Sequence, residues 1–270
     1  IQNAKFNMPT TSSDLNAARA ELAPSGTLRV GINFGNVLLT GKDPATGAPR
    51  GVGVDLAREL ARRLDVPLEI VPFESAGALA DAAPRGAWDV GFLGAEPQPA
   101  HDISFTAAYV EIESTYLVPP GSPVRSVADM DRDGMRIAVA DKSAYDLYLS
   151  RSLQRARLER ASGFEGSFQL LVDAKTDALA GLRPVLLTCV EKLPGSRVLD
   201  DRFTTIQQAV GTPKGRETGA AYLRGFVEHV KATGLVAQLI EKNGVRGLTV
   251  AARSPGPPVP DTGSMSSDGR

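Results

Sequence analysis

One cysteine, two histidines and one tryptophan in 270 residues leave little material for several kinds of chemistry. The lone Cys189 rules out an intrachain disulfide and any zinc site built from several thiolates, and it reads as a buried core thiol. His101 and His229 lie far apart without ligand-type neighbours, so imidazole-based metal binding has no support and no metal site is expected. A charge of one sign is missing too. Thirty Lys and Arg stand against 31 Asp and Glu, so nothing draws the chain to nucleic acid or to an acidic membrane surface, and no nucleic-acid partner is expected. No apolar run approaches the roughly 20 residues that span a bilayer, and the opening stretch lacks the basic-then-apolar form of an export signal. Phosphate-binding glycine loops are absent as well. Neither the Walker spacing nor the dinucleotide fingerprint occurs, since Gly51-Val-Gly53 has no third glycine and sits too far from the strand before it, and no cofactor is expected.

What is present is ordinary globular material, 42% hydrophobic, enough to build one large or two modest domains. Residues 27–33 alternate and are β-branched, which predicts a strand. Val54, Ala57, Leu60, Ala61 and Leu64 recur at helical spacing, with Asp55, Arg58, Glu59, Arg62 and Arg63 on the other face, which predicts a helix over 51–64. Leu68 to Phe73 reads as a second strand. Two strands joined by such a crossover are parallel and right-handed, so the segment from Asn33 to Gly51 leaves the carboxyl end of the first strand, where open sheets bind ligands. Gly41 to Pro49 reads as a hairpin turn, Ala76 to Ala83 as a short helix and Val90 to Leu93 as a buried strand.

The order Leu28-Arg-Val-Gly-Ile, Gly51-Val-Gly-Val-Asp-Leu-Ala57, Gly86-Ala-Trp-Asp-Val90, Ile103-Ser-Phe-Thr106 and Tyr109 resembles the extracellular solute-binding proteins of family 3, the periplasmic receptors of polar-amino-acid ABC importers. The resemblance runs on through Val127-Ala-Asp129, Gly134 to Val139 and Asp177-Ala178. It implies an α/β, two-lobe, periplasmic-binding-protein-like (type II) fold with two strands crossing between the lobes, and capture of a small-molecule solute by hinge closure. Val110 to Val118 and Thr204 to Val210 suit the crossings. The expected divisions are an N-terminal extension at 1–25, lobe one at 26–112 plus 208–252, lobe two at 113–207 and a disordered tail at 253–270. Within lobe two, a strand over 136–140 precedes a helix predicted from Ala144 to about Leu158. The expected partner is a membrane ABC permease, the expected state monomeric and the expected location periplasmic. Met8 as a native start would instead imply a cytoplasmic protein.

The family's pattern breaks at two positions. Its carboxylate-binding arginine is replaced by Pro99, which offers neither charge nor donor, and its ammonium-binding aspartate by Leu182. Ordinary α-amino acids are therefore expected to bind weakly, and a small polar or anionic organic solute is expected instead. Candidate replacements are Lys142 and Arg183, together with Glu74, Glu96, Glu111 and Glu113. Ser143 and Ala144 open a capped helix beside Lys142, a natural anion contact, although Lys142 also reads as a solvated lysine. Arg183 reads equally as a cleft residue or as a salt-bridge residue. Phe34 and Phe73 flank an apolar part of the ligand or belong to the core, and Asn36 and Gly94 complete the expected ligand set. No catalytic residue is assigned. The alternatives are a ligand-sensing module, or an enzyme resembling the cyclohexadienyl dehydratases in which Glu96 or Glu113 would need burial to act as a general acid.

Overall fold

The alternating run after Thr27 forms strand β1 in the computed structural model, which describes residues 12–95 and 101–254. Helix α1 (Ser12–Leu22) precedes β1 (Leu28–Asn33), and the hairpin β2 (Gly41–Lys42) and β3 (Pro49–Arg50) leads to α2 (Val52–Leu64). Then come β4 (Leu68–Phe73), α3 (Ala76–Asp81), β5 (Val90–Gly94), β6 (Ile103–Phe105) and β7 (Val110–Val118). The second half holds β8 (Arg136–Ala140), α4 (Ala144–Ser152), β9 (Arg157–Ala161), α5 (Gly163–Val172), β10 (Ala178–Leu182), α6 (Arg183–Lys192) and β11 (Arg197–Val198). The chain returns along β12 (Thr204–Pro213) to α7 (Glu217–Ala232), α8 (Leu235–Lys242) and β13 (Thr249–Val250).

The main sheet has the order β4-β1-β5-β12-β7-β10-β8-β9. Strands β4, β1 and β5 are parallel on one side, and β10, β8 and β9 on the other. Between them β12 and β7 pair antiparallel from Thr204↔Ser114 to Gln208↔Val110, and each continues into one half. Beyond that ladder β12 pairs with β5, and β7 pairs with β10. This is the two-lobe α/β fold with two crossing strands that the sequence predicts.

Each half has its own apolar packing. In the first, Trp88 is fully buried and donates its indole N–H to the Leu79 carbonyl at 2.9 Å. Gly31 and Gly91 make room for that ring, because a Cβ on either would lie 3.1 Å from an indole carbon. Asp89, also fully buried, accepts two hydrogen bonds from the Arg29 guanidinium at 2.9 Å and one from Arg216 at 3.0 Å, tying β1 and the α7 approach to β5. In the second half Cys189 is fully buried with Leu117, Phe168, Leu171, Leu179 and Leu186, the core thiol expected.

Three elements differ from the sequence reading. Helix α4 stops at Ser152, not near Leu158, because the Asp131 carboxylate accepts from the amides of Gln154, Arg155 and Ala156 and draws them out of helical register. The chain then forms β9, parallel to β8 from Arg136↔Arg157 to Ala140↔Ala161. Its Arg, Glu and Arg side chains suit a protected sheet edge as well as a helix face. Helix α6 was not foreseen after Arg183-Pro184, although proline fits a helix's first turn. Residues 12–22 of the expected extension are docked: Ala18 and Leu22 are buried, and Glu21 accepts from the Gly219 amide of α7 at 2.7 Å. Glu96, Pro99 and the tail from 255 onward lie outside the described residues.

Candidate functional site

The parallel strands of both halves aim their carboxyl ends at one cleft. The loop after β1 brings Asn33, Gly35 and Asn36, and the turn from β4 into α3 brings Glu74, Ser75 and Ala76. Across from them, the turn from β8 into α4 brings Asp141, Ser143, Ala144 and Tyr145, the start of α5 brings Gly163 and Phe164, and the end of β10 brings Leu182. Ile206 and Gln208 line the cleft from β12, two residues apart and so on one strand face. The cavity is about 60 Å³, several times the roughly 10–15 Å³ that one water needs on the same measure. That space holds more than a single water.

The turns are shaped by their own capping. Ser75 accepts from the Ala78 amide at 3.1 Å and Ser143 from the Asp146 amide at 3.1 Å, each fixing a helix start at the cavity wall. Lys142 bends the second turn through a left-handed φ of 56°, a region that favours glycine. Its amide donates to the Asp146 carboxylate at 2.8 Å. Its carbonyl accepts from the Gly77 amide at 3.0 Å, and its Nζ lies 3.4 Å from Asp81, so this turn clasps α3 across the cleft. Asp146 is buried and bound by Arg160 at 3.0 Å, which anchors the turn from behind. Burial pushes the Tyr145 phenol up, partly offset by its hydrogen bond with Ser143, and Tyr145 stays neutral in the wall.

Of the expected ligand residues, Asn36, Glu74, Ser143 and Ala144 line the cavity. Gly94 stands just behind the wall, where a Cβ would lie 3.2 Å from both Ala144 and Ile206. The others are placed elsewhere. Arg183 is taken up by lobe two: Nε donates to Glu113 at 2.7 Å, and the terminal nitrogens donate to the carbonyls of Leu199, Asp200 and Asp201 at 2.8–2.9 Å. Arg202 donates to the same carboxylate at 2.7 Å. Burial would raise the Glu113 carboxyl, but the hydrogen bonds from Arg183 and Arg202 outweigh it and hold it below the usual carboxylate range. The Lys142 ammonium points at Asp81 rather than into the cavity. Phe73 packs in the Trp88 cluster, and Phe34 packs on the core with Lys42 5.7 Å from its ring centre. Glu111 sits in the β7 ladders opposite Gln207 and Thr249.

Among the lining residues that the sequence did not single out as ligand contacts are Gln208, Asp141 and Phe164. Gln208 is a polar residue on a crossing strand, next to Gln207 and followed by the apolar Ala209 and Val210, a signal available in the sequence. It is only 5% exposed, yet its side-chain amide has no partner among the described residues. Asp141 and Phe164 carry no comparable signal, because their positions depend on the loop paths. The lining side chains that carry charge are Glu74 and Asp141, both acidic.

Residues 28–245 match the bacterial extracellular solute-binding proteins, family 3. The chain belongs to that family. The glutamine-binding protein of Geobacillus stearothermophilus is 23% identical over 200 residues, spanning 70% of this chain and 73% of that protein. A solute receptor for L-cysteine of Neisseria gonorrhoeae shares the fold with a TM-score of 0.72 at 20% identity, over 86% of this chain and 95% of that one. The ancestral amino acid-binding protein AncCDT-1, a precursor of cyclohexadienyl dehydratase, gives a TM-score of 0.69 at 24% identity, over 83% and 97% of the two chains. This family 3 chain is thus a solute-binding protein with its cleft where the two halves of the sheet meet. Among the described residues no helix is long and apolar enough to cross a membrane.

Proposed function

We propose that this protein is the periplasmic receptor of an ABC importer, a monomer that closes on a small polar solute and presents it to a membrane permease. In this reading lobe one is 26–112 with 208–252, lobe two is 113–207, and the crossing strands are the hinge. The observation that carries it is a cavity walled by both lobes, with the nearly buried side chains of Asn36 and Gln208 at its lining and the Gln208 amide without a partner among the described residues. Asn36, Glu74, Ser143 and Ala144 contact the solute. The Ala144 and Tyr145 amides at the start of α4 have no intrahelical acceptors and suit a neutral oxygen of the ligand.

The dehydratase reading is not favoured. It needs a protonated carboxyl in the cleft, and Glu113 is outside the cavity and held ionised by two arginines. A thermal-shift panel of polar amines, amino acids, dicarboxylates and aromatic acids tests the receptor reading. A true solute at about 100 times its dissociation constant adds about 2.7 kcal/mol and raises the melting midpoint by several degrees. Product formed from any panel member would overturn the binding-only assignment.

A further inference from the structure

We infer that the solute of this cleft is an organic cation lacking a carboxylate, with its cationic group between Glu74 and Asp141; this rests on the receptor reading of the cavity. Glu74 and Asp141 face the cavity from opposite lobes, and both also line its wider mouth with Arg160. Glu74 makes no ion pair or hydrogen bond among the described residues. Asp141 reaches a cation only at 3.9 Å, through an Arg160 whose guanidinium is already held by Asp146 and Ser150. Among the described residues no lysine or arginine lines the inner cavity.

A carboxylate brought here would find no guanidinium or ammonium. The helix starts do not make up for it, because internal groups already use much of what they offer. The Asp146 carboxylate takes the Lys142 amide ahead of α4, the Lys142 carbonyl takes the Gly77 amide of α3, and serine hydroxyls cap both helices. An anion beside α4 would also sit next to Asp141 and the Asp146 carboxylate. An ammonium or guanidinium meets the opposite situation. Closing the lobes brings one carboxylate from each side toward it, so a cation is bound more strongly in the closed form than in the open one, as hinge closure requires. Gln208, nearly buried and unpartnered, supplies a carbonyl oxygen as a further acceptor for N–H groups. Leu182, Ile206 and Phe164 give the rest of the wall an apolar character that suits an alkyl chain.

Matched pairs isolate the carboxylate. Cadaverine against lysine, putrescine against ornithine and agmatine against arginine differ in that group alone. Calorimetric titration of the full chain is expected to show at least one amine binding tenfold or more tightly than its amino acid. Glu74→Gln and Asp141→Asn, both at exposed carboxylates, should each weaken that amine at least tenfold while leaving the unliganded melting midpoint in place. Tighter binding of the amino acids, or of a dicarboxylate, would overturn the cation assignment and keep the receptor reading. Binding of neither pair member while another solute of the broad panel binds would do the same. No binding by any solute in either panel would overturn both.

Discussion

Glu59 shows how much a single exposed-face carboxylate can contribute on α2. It accepts from Arg62 at 2.8 Å and from Arg63 at 2.6 Å, one residue three positions on and one four. Hydrogen bonding from Arg62 is the largest effect on its acidity, burial opposes it, and Arg63 adds to it, leaving the carboxyl lowered to about 2. A lowered folded-state value means stability that is fully present above the unfolded value near 4.3 and lost as the pH falls toward 2. Helix pairs of this kind contribute about 0.3–0.5 kcal/mol each, so Glu59→Gln should cost about 1 kcal/mol at pH 7. Urea melts of the two proteins should differ by that amount at neutral pH and converge by about pH 2; equal stability at pH 7 would count against it. The residues of the cleft were only partly legible by the same logic. Asn36, Glu74, Ser143 and Ala144 followed from strand ends and helix starts, which sequence patterns locate well. The destination of Arg183 did not, because three carbonyls from the 199–201 turn and Glu113 from β7 capture it, and no local pattern reveals partners so distant in the chain.

Helix and strand identities were readable wherever periodicity was strong and local. Strands β4, β7 and β8 have the bounds expected from their patterns. The failure at α4 came from Asp131, whose carboxylate holds three amides more than 20 positions away. That competition is tertiary, and propensity cannot register it. A second long-range contact joins α3 to the turn before α4, and here glycine matters. Gly77 donates its amide to the Lys142 carbonyl, and a Cβ on it would stand 2.9 Å from the Lys142 Cβ and 3.3 Å from that carbonyl oxygen. Alanine suits a helix better than glycine by roughly 1 kcal/mol, so Gly77→Ala should leave lobe one intact while pushing the two turns apart. Small-angle scattering should give a larger radius of gyration for the variant, and solute binding found for the parent should weaken. An unchanged radius with unchanged affinity would mean that the clasp has slack enough to absorb a methyl group.

At the scale of the molecule the two lobes share the strands that join them. Gln208 pairs with Val110 in the β7 ladder and with Gly94 in the β5 ladder, so one residue belongs to the hinge, to lobe one and to the lining of the cavity. Melting lobe one would strip β12 of its β5 partner, and melting lobe two would strip β7 of β10. The carboxyl-terminal segment tightens the junction. Strand β13 pairs with β7, and Lys231 donates to the carbonyls of Ala108 and Ala252 at 3.0 and 2.9 Å while lying 2.8 Å from Glu228. Both members of that pair lie on α7 and are buried, and the segment completes their hydrogen bonding, with the Ala252 carbonyl accepting from Lys231 and the Ser254 amide donating to Glu228. Such sharing opposes independent unfolding, although the chain is long enough for two cooperative units. Calorimetry of the unliganded protein should therefore show one heat-absorption peak with calorimetric and van't Hoff enthalpies in agreement, and a bound solute should move that peak upward without splitting it. Two resolved peaks, only one of them shifted by solute, would mean that the lobes hold their structure separately and that the crossing strands transmit closure without transmitting stability.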